Sequence, residues 1–474
     1  MSDDSWRWSA TRIAAAIRGR DISAREALDS CLGRMAAVNS KLNAVTVDLS
    51  NSAREAADRA DAAVARGEEL GALHGVPVTI KENVDQQGSA TTNGVVGFQN
   101  IIALEDSPIV ANWKKAGAVI LGRTNTPAFS FRLDTVNDLR GRTYSPWSKT
   151  HTPGGSSGGA ASSVAAGITP LAHGNDIAGS VRFPAYCCGL AGIRPSFGRV
   201  PAYNPTQTAE RSLSSQLMSV QGPLARSVAD VRLGLVAMAA RDPRDPWWTP
   251  APLDGPAPSS RQPIRVAVVT EARDLAGAKL QPAVARALEQ AAASLADAGY
   301  EIVDDRTPGF TRAKELWFEM QMPEFRHFSL PLIDKEGDAG IRTAVRFMFD
   351  NIPSSDALSY MKSLAERTRL IREWTLFLDR VPLVLTPICS EAVYRQGFDI
   401  ESAARTAALW RECATMMAVP VLGLPAMAVP TGAVDGLPMG VQIVGPRFRE
   451  DLCLAAGEAI EARAGVLTPI DPAW

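Results

Sequence analysis

Residues 152–184 read TPGGSSGGAASSVAAGITPLAHGNDIAGSVRFP, a stretch unusually dense in glycine, serine and alanine for the interior of a folded domain. An isolated run of glycine and serine is typical of a flexible linker. This run, however, continues into an alanine-rich helical pattern and then into a segment that mixes glycine turns with apolar residues. Linkers do not have that pattern, so the sequence predicts that the stretch is folded.

One generic nucleophile motif lies inside the stretch. Residues 155–159 match G-x-S-x-G, with Ser157 at the nucleophile position. That motif requires a buried strand before the serine and a catalytic aspartate and histidine after it. Here the preceding residues are polar, and only His173 and His327 follow. We therefore interpret this match as chance. An S-x-x-K match at residues 359–362 lacks its companion motifs and is also interpreted as chance.

A serine hydrolase without a suitable histidine needs another base, and a neutral lysine buried beside a serine can serve. Most lysines are solvated surface groups. Lys81 differs because it directly follows the apolar segment Val76–Ile80, a predicted strand, and precedes a loop rich in glycine and asparagine. Burial there would lower the pKa of Lys81 and make it the best candidate for the base.

Composition limits the class of protein. Hydrophobic residues make up 46% of the 474 residues and charged residues 21%, which suits a large core. The formal charge is -2 without a run of one sign, so nucleic acid and membrane are poor partner candidates. Six irregularly spaced cysteines predict reduced thiols in a cytoplasmic protein without a zinc site. No signal peptide or membrane-spanning segment is expected.

The pattern of apolar residues predicts one α/β domain over residues 1–474. Strands are predicted at residues 76–80, 118–121, 264–269, 300–303, 381–385 and 426–429. Helices are predicted over residues 10–65 and 310–380. The domain divides into a helical N-terminal part (1–65), a catalytic core (70–240), a proline-rich surface loop (242–263) and the remainder of the sheet (264–474), which contains a variable helical pocket region (305–400).

Six motifs in a fixed order give the chain its resemblance to a known family. They lie at residues 75–83 (GVPVTIKEN), 122–127 (GRTNTP), 152–159 (TPGGSSGG), 176–184 (DIAGSVRFP), 189–195 (GLAGIRP) and 436–446 (GLPMGVQIVGP). On these motifs the chain resembles the amidase signature hydrolases over nearly its whole length. The resemblance implies an α/β fold with a large mixed, mostly parallel twisted β-sheet flanked by helices on both faces.

The resemblance also implies a Ser-Ser-Lys relay. Ser180 corresponds to the family's nucleophile, Ser156 to its bridging serine in a cis peptide bond, and Lys81 to its base. Neutral Lys81 would accept a proton from Ser156 as Ser156 takes one from Ser180. Ser156 would then protonate the leaving nitrogen, and water would hydrolyse the acyl-Ser180 ester.

Further residues are expected to support this relay. The oxyanion would be bound by the backbone N–H groups of Ile177, Ala178, Gly179 and Ser180. Ser157, Asp176 and Arg182 would fix the loops through hydrogen bonds. No metal or organic cofactor is implied, because the relay needs none. Ala178 and Ala128 stand where many members have glycine and glutamate, which affects the pocket more than the reaction.

The expected reaction is hydrolysis of a small-molecule amide at its C–N bond. Bulky apolar residues suggest an aryl amide, an anilide or a small apolar amide; the candidate pocket residues are Phe129, Phe131, Trp317, Phe318 and Met320. Core packing explains these residues nearly as well. Carbamates (urethanes) and aryl esters are further candidate substrates, since their carbonyl is attacked in the same way. A homodimer is also expected, because it is common in the family.

Two other functions stay open at this point. One is the amidase subunit of a glutamine-dependent tRNA amidotransferase, which shares the signature but works in a complex. The other is a catalytically silent binding protein of the same fold. The presence of Lys81, Ser156 and Ser180 together argues against the silent protein.

Overall fold

The computed structural model describes residues 4–254, 263–270, 275–352 and 356–474. In these ranges the chain forms an eleven-stranded mixed sheet surrounded by helices, together with a small hairpin, β4–β5. The strands are β1 (Val45–Asp48), β2 (Pro77–Lys81), β3 (Val119–Thr124), β4 (Val136–Asn137), β5 (Gly141–Arg142), β6 (Leu171–Asp176), β7 (Ala191–Arg194), β8 (Val220–Ala225), β9 (Arg265–Val268), β10 (Glu301–Val303), β11 (Leu383–Thr386), β12 (Ala426–Val434) and β13 (Leu437–Val444). The prediction of a large mixed sheet flanked by helices is confirmed.

The described ranges also contain sixteen α-helices. They are α1 (Ala10–Gly19), α2 (Ala24–Leu42), α3 (Ser50–Arg66), α4 (Pro108–Lys115), α5 (Gly158–Ala165), α6 (Arg182–Cys188), α7 (Leu213–Met218), α8 (Val228–Met238), α9 (Pro282–Asp297), α10 (Thr311–Phe328), α11 (Leu330–Glu336), α12 (Ala339–Asp350), α13 (Ala357–Leu378), α14 (Ala403–Glu412), α15 (Ala414–Leu422) and α16 (Glu450–Ala464). The predicted helical regions 10–65 and 310–380 correspond to α1–α3 and α10–α13.

The strands of the sheet lie in the order β1-β3-β2-β6-β8-β7-β12-β13-β11-β9-β10. Parallel pairing joins β3, β2 and β6 on one side and β11, β9 and β10 on the other. The strands between these groups pair antiparallel, as does β1 at the edge. Because β2 and β6 are parallel neighbours, their carboxyl ends meet at one edge of the sheet. Those ends carry Lys81 and Asp176.

The neighbouring strands β2 and β3 are largely apolar, as expected where a sheet is covered on both faces. Every residue of β2 and of β3 is buried. These two strands are the ones predicted at residues 76–80 and 118–121. Lys81 is the last residue of β2, so the strand itself carries the lysine into the interior.

The glycine- and serine-rich stretch is packed inside the domain. Residues 152–170 are all buried, and part of them forms α5. A Cβ atom on Gly155 would lie 2.4 Å from the carbonyl oxygen of Arg132, and one on Gly159 would lie 2.5 Å from the backbone nitrogen of Asn125. Glycine is therefore required at both positions, because the main chain of another segment passes too close for any side chain.

The proline-rich segment is only partly described. Residues 242–254 contain neither helix nor strand, and residues 255–262 of the predicted loop lie outside the described residues. Among the helices that are described, none is both long and apolar enough to cross a membrane.

Candidate active site

The candidate site lies at the carboxyl ends of β2 and β6. Lys81 ends β2, and Asp176 ends β6, directly after Asn175. Ser156 precedes α5, and Ser180 lies in the loop between β6 and α6. The peptide bond between Gly155 and Ser156 is cis. The three residues expected to form the relay, Lys81, Ser156 and Ser180, are thus brought together from segments that are distant in sequence.

Lys81 is fully buried among three uncharged oxygen atoms. Its Nζ lies 2.7 Å from Ser156 Oγ, 3.1 Å from Ser157 Oγ and 2.7 Å from Asn175 Oδ1. No carboxylate of a described residue forms an ion pair with this nitrogen, although Asp176 is near enough to favour its charge. Burial outweighs that attraction and holds the pKa of Lys81 well below its ordinary value.

A neutral amine satisfies all three contacts. It has two N–H donors and one lone pair, and Asn175 Oδ1 can only accept a hydrogen bond. One N–H therefore goes to Asn175, and the second can go to Ser157. The lone pair is then left to accept the hydroxyl proton of Ser156. In this arrangement the lone pairs of the Ser156 oxygen are not used by Lys81, and Ser180 lines the same cavity as Ser156.

Asp176 fixes the loop that carries Ser180. Its carboxylate accepts hydrogen bonds from the N–H groups of Gly179 and Val181, at 2.8 and 3.2 Å, and forms a buried ion pair with Arg182 at 2.9 Å. Burial alone would raise the pKa of Asp176, but Arg182, Arg194 and the N–H of Gly179 outweigh it and lower the pKa to about 2. Asp176 is therefore ionised throughout the neutral range, and its charge orders the loop.

Gly179 does not fit the predicted role in the oxyanion hole. Its N–H is directed to Asp176, so it is already occupied. In the described part of the chain, the N–H groups of Ile177, Ala178 and Ser180 have no hydrogen-bond partner. These three remain as candidate donors to an oxyanion.

Gly179 is nevertheless required by its surroundings. Its φ angle is +112°, a region that residues with a side chain rarely adopt. A Cβ atom there would lie 2.0 Å from Met416 Sδ, which belongs to α15. On the other side of the loop, the indole Nε1–H of Trp317 donates to the carbonyl oxygen of Ile177 at 2.9 Å. The loop is therefore held by Asp176, by α15 and by α10.

His173, the histidine nearest to the relay, is not available as a base. The backbone N–H of Lys81 points to His173 Nδ1 at 3.4 Å, and Nε2 lies 2.8 Å from Gln221 Oε1. Burial lowers the pKa of His173 to about 3, so the ring is neutral. Both ring nitrogens are engaged, and the ring serves to tie β2 to β6 and β8.

Two cavities meet at Ser180. The large cavity, of about 620 Å³, is lined by Ser180, Ser156, Asn175 and Ile177, by the aromatic residues Phe98, Phe129, Phe131, Tyr203 and Phe325, and by polar residues that include Asn204, Gln207 and Arg211. The small cavity, of about 50 Å³, is lined by Ser180, Ile177, Ala178, Phe131, Trp317, Met348 and Trp410 and by the ion-paired Arg132 and Asp399. Ser156 lines the large cavity and is not among the residues that line the small one.

The candidate pocket residues divide into two groups. Phe129, Phe131 and Trp317 line one or both cavities. Phe318 and Met320 line neither, which departs from the prediction because both side chains are packed in the interior behind the cavity wall. The ring of Phe318 lies edge-on against Trp317, with ring centroids 5.1 Å apart. Phe318 therefore supports the wall without reaching the site.

Sequence reasoning missed several residues that the structure brings to the site. Asn175 contacts Lys81, and Met416 packs against Gly179. Trp410 lines the small cavity, and Arg211 lines the large one. Asn175 stands beside the motif at 176–184 and had a sequence signal, whereas the other three lie in segments without one. Among the described residues, no cluster of three or more His, Cys, Asp or Glu side chains could hold a metal ion.

The chain is similar in sequence and in fold to several known proteins. The family model described as Amidase matches residues 26–454. The indoleacetamide hydrolase of Bradyrhizobium diazoefficiens is 47% identical over 463 residues, which cover 98% of this chain and 87% of that protein. A glutamyl-tRNA(Gln) amidotransferase subunit of Moorella thermoacetica is 30% identical over 96% of each chain. A bacterial aryl acylamidase of the amidase signature family superposes with a TM-score of 0.83 at 25% identity, covering 98% of this chain and 97% of that one.

Proposed function

The chain belongs to the amidase family of amide hydrolases, and we propose that it hydrolyses the primary amide of an arylacetic acid, such as indole-3-acetamide, to the acid and ammonia. The observation that carries the proposal is the hydrogen bond between Ser156, which lines the same cavity as Ser180, and the buried amine of Lys81. The arylacetyl part of the substrate is suggested by the relative that is 47% identical, an indoleacetamide hydrolase.

Acylation begins when Ser180 Oγ attacks the amide carbon. Its proton passes to Ser156, and the proton of Ser156 passes to the lone pair of Lys81. When the tetrahedral intermediate collapses, Ser156 gives its proton to the leaving nitrogen and is reprotonated by Lys81. The C–N bond breaks and ammonia leaves. Protonation of the nitrogen is essential, because an amide anion is a poor leaving group.

Deacylation uses the same groups in reverse. Water attacks the acyl-Ser180 ester, and its proton passes through Ser156 to Lys81. Collapse of the second intermediate breaks the ester bond, Ser180 recovers a proton, and the carboxylic acid is released. In both steps the negative oxygen would be bound by the free N–H groups of Ile177, Ala178 and Ser180.

The positions of the serines suggest where each part of the substrate lies. The leaving nitrogen must come within reach of Ser156, which lines only the large cavity of the two. The acyl group then points toward the small cavity, whose walls include Phe131, Trp317 and Trp410. A cavity of about 150 Å³ admits benzene in another protein, so at about 50 Å³ this one must widen for an aryl ring. Met348 is suited to make room, because its unbranched side chain repacks easily.

The same relay would act on related carbonyl groups. In a carbamate or an aryl ester, attack by Ser180 produces the same kind of tetrahedral intermediate, and an aryloxide leaves more readily than an amine. Carbamate and ester hydrolysis are therefore proposed as side activities of the same site. Hydrolysis by the chain alone is favoured over a role in an amidotransferase complex. The chain is 47% identical to the indoleacetamide hydrolase but only 30% identical to the amidotransferase subunit.

The test is a matched substrate panel with the purified chain and its Ser180→Ala variant. The panel contains indole-3-acetamide, phenylacetamide, p-nitroacetanilide, an aryl carbamate and glutamine. We expect turnover of the arylacetamides and a loss of at least about a thousandfold in the variant. Turnover of glutamine alone would favour the amidotransferase role. Absence of all turnover, together with no labelling by a fluorophosphonate, would favour the silent binding protein.

A further inference from the structure

Arg211 is the one charged residue among the described residues that line the large cavity. It lies between β7 and α7, and its side chain is partly buried. No acidic side chain of a described residue forms an ion pair with its guanidinium group, and no hydrogen bond from that group to a described residue is formed. The remaining polar lining is supplied by neutral asparagine, glutamine, serine and threonine side chains.

An unpaired cation in a cavity is an unusual arrangement. Charged groups removed from water are normally paired, because their desolvation is costly. Burial lowers the pKa of Arg211, and Asp245 and Glu210 oppose this effect only from a distance. The cavity therefore presents a positive group that is not neutralised by the protein, and an anionic group of a ligand would supply the missing partner.

The geometry of the relay assigns this cation to one side of the scissile bond. The leaving nitrogen must approach Ser156, and Ser156 and Arg211 line the same large cavity. The small cavity on the acyl side has its own arginine, Arg132, but that residue is paired with Asp399 at 2.7 Å. An unpaired positive charge is thus available on the leaving-group side.

The volume of the large cavity also supports a leaving group that is larger than ammonia. Ammonia, the leaving group of a primary amide, is about the size of one water molecule, whose share of liquid volume is about 30 Å³. The large cavity measures about 620 Å³. The leaving-group side therefore has room for a substituent on the nitrogen as well as a charge to bind it.

We propose that the enzyme also hydrolyses secondary amides in which an arylacetyl group is joined to the amine of an amino acid, and that Arg211 binds the carboxylate of that leaving group. This inference rests on the proposed function, since it uses the same acyl group and the same relay. Ser180 forms an ester with the arylacetyl group, the C–N bond breaks, and Ser156 protonates the nitrogen. The amino acid leaves with its carboxylate intact, and water then releases the arylacetic acid.

The experiment compares substrates that differ only in charge. N-phenylacetyl-glycine and N-phenylacetyl-β-alanine carry a carboxylate on the leaving group, N-propyl-phenylacetamide is a neutral counterpart, and 4-carboxyphenylacetamide carries the charge on the acyl side. Each is assayed with the unmodified enzyme, Arg211→Gln, Arg211→Lys and Arg241→Gln. Arg241 is the matched control because it is exposed and does not line the large cavity.

The measured quantity is the ratio of kcat/KM for the acidic leaving group to kcat/KM for the neutral one. We expect a ratio of at least about ten for the better of the two amino acid conjugates, because a charge-assisted hydrogen bond is worth about 1.5 to 3 kcal/mol. The ratio should approach one in Arg211→Gln through a rise in KM, recover partly in Arg211→Lys and stay unchanged in Arg241→Gln.

Three outcomes would overturn the inference. A ratio near one in the unmodified enzyme would show that the carboxylate is not recognised. A ratio that survives in Arg211→Gln would remove Arg211 from the role. If kcat/KM depends on Arg211 only for 4-carboxyphenylacetamide, the guanidinium group of Arg211 binds the acyl part of the substrate and not the leaving group. Turnover of phenylacetamide in any of these cases would leave the proposed function standing, whereas no turnover of any amide would overturn both.

Discussion

Lys81 combines complete burial with three polar neighbours that carry no charge. The protonated form would have to be desolvated without a counter-ion in contact, since Asp176 acts on it only from a distance. The neutral form uses both of its N–H groups and its lone pair. The site therefore favours the form of lysine that can accept a proton.

The activity of the enzyme should depend on pH through the protonation of Lys81. Protonation of Lys81 removes the lone pair, so kcat/KM should fall as the pH drops through the pKa of Lys81 in the folded enzyme. Because burial lowers that pKa, the midpoint of the acid limb should lie well below the ordinary value for lysine. The measurement is kcat/KM for an arylacetamide between about pH 5 and pH 10.

Substitution identifies the group that titrates. Lys81→Met should reduce kcat/KM by about a hundredfold to ten-thousandfold and remove the acid limb. Lys81→Arg should be equally inactive, because a guanidinium group keeps its proton. An unchanged acid limb in a residually active Lys81→Met enzyme would assign the titration to another group.

Sequence motifs predict the candidate relay residues but not their surroundings. Lys81, Ser156 and Ser180 were identified because each ends or occupies a long motif. The engagement of the Gly179 N–H by Asp176 was not foreseen, because it depends on how the loop turns back on the end of β6. The unpaired state of Arg211 had no sequence signal either, since the pairing of charges is decided by tertiary packing.

At the scale of elements, α10 connects the variable region of the chain to the loop that carries Ser180. Trp317 lines the small cavity, and its indole N–H donates to the carbonyl oxygen of Ile177. Apolar spacing in the sequence predicted a helix here but gave two interpretations of its bulky residues, core or pocket. The structure divides them, because Trp317 faces the site while Phe318 and Met320 pack into the interior.

The second prediction concerns this hydrogen bond. Trp317→Phe keeps an aromatic ring but removes the N–H, so the loop that carries the candidate oxyanion donors loses one of its supports. We expect kcat to fall by about fivefold, because one hydrogen bond contributes about 1 kcal/mol. The measurement is kcat and KM for an arylacetamide, since a change in the cavity wall alone would act mainly on KM.

Trp374→Phe is the matched control for that experiment. Trp374 lies on α13, is fully buried, and its indole N–H has no partner in the described part of the chain. The substitution removes the same atoms without removing a hydrogen bond, so kcat should change by less than about twofold. An equal fall in kcat for both variants would mean that loss of packing, and not the bond to Ile177, controls the loop.

At the scale of the whole molecule, the sheet order could not be derived from the sequence. The predicted strands β2 and β3 are neighbours, but β6, with its polar His173 and Asn175, lacks the apolar pattern that identifies a strand. It pairs with β2 on one side and with β8 on the other, and the residues of β8 lie more than 40 positions further along the chain. The order of the strands is therefore a tertiary property, and it is what brings Lys81 to the loop of Ser180.

The two ends of the chain meet at α5, the helix that follows Ser156. Arg34, on α2, donates from Nε to the carbonyl oxygen of Ala166 at 2.7 Å and from Nη2 to that of Ile470 at 3.0 Å. It also pairs with Asp471 at 2.6 Å. The backbone N–H of Ile470 donates to Ala165 at the end of α5. One buried arginine thus ties the N-terminal helices and the C-terminal segment to the helix behind the relay.

The third prediction is that Arg34→Met destabilises the whole fold. The substitution keeps much of the apolar stem but leaves the buried carbonyl of Ala166 and the partly buried carbonyl of Ile470 without their donor. An unsatisfied buried group costs about 1 to 3 kcal/mol. We expect the free energy of unfolding in urea to fall by about 2 to 4 kcal/mol.

Arg54→Met is the control, because Arg54 pairs with Asp29 at 3.6 Å on the surface, where 41% and 49% of the two side chains are exposed. Exposed ion pairs contribute about 0 to 1 kcal/mol, so the free energy of unfolding should change little in Arg54→Met. If Arg34→Met loses no more free energy of unfolding than Arg54→Met does, the contacts of Arg34 do not stabilise the fold.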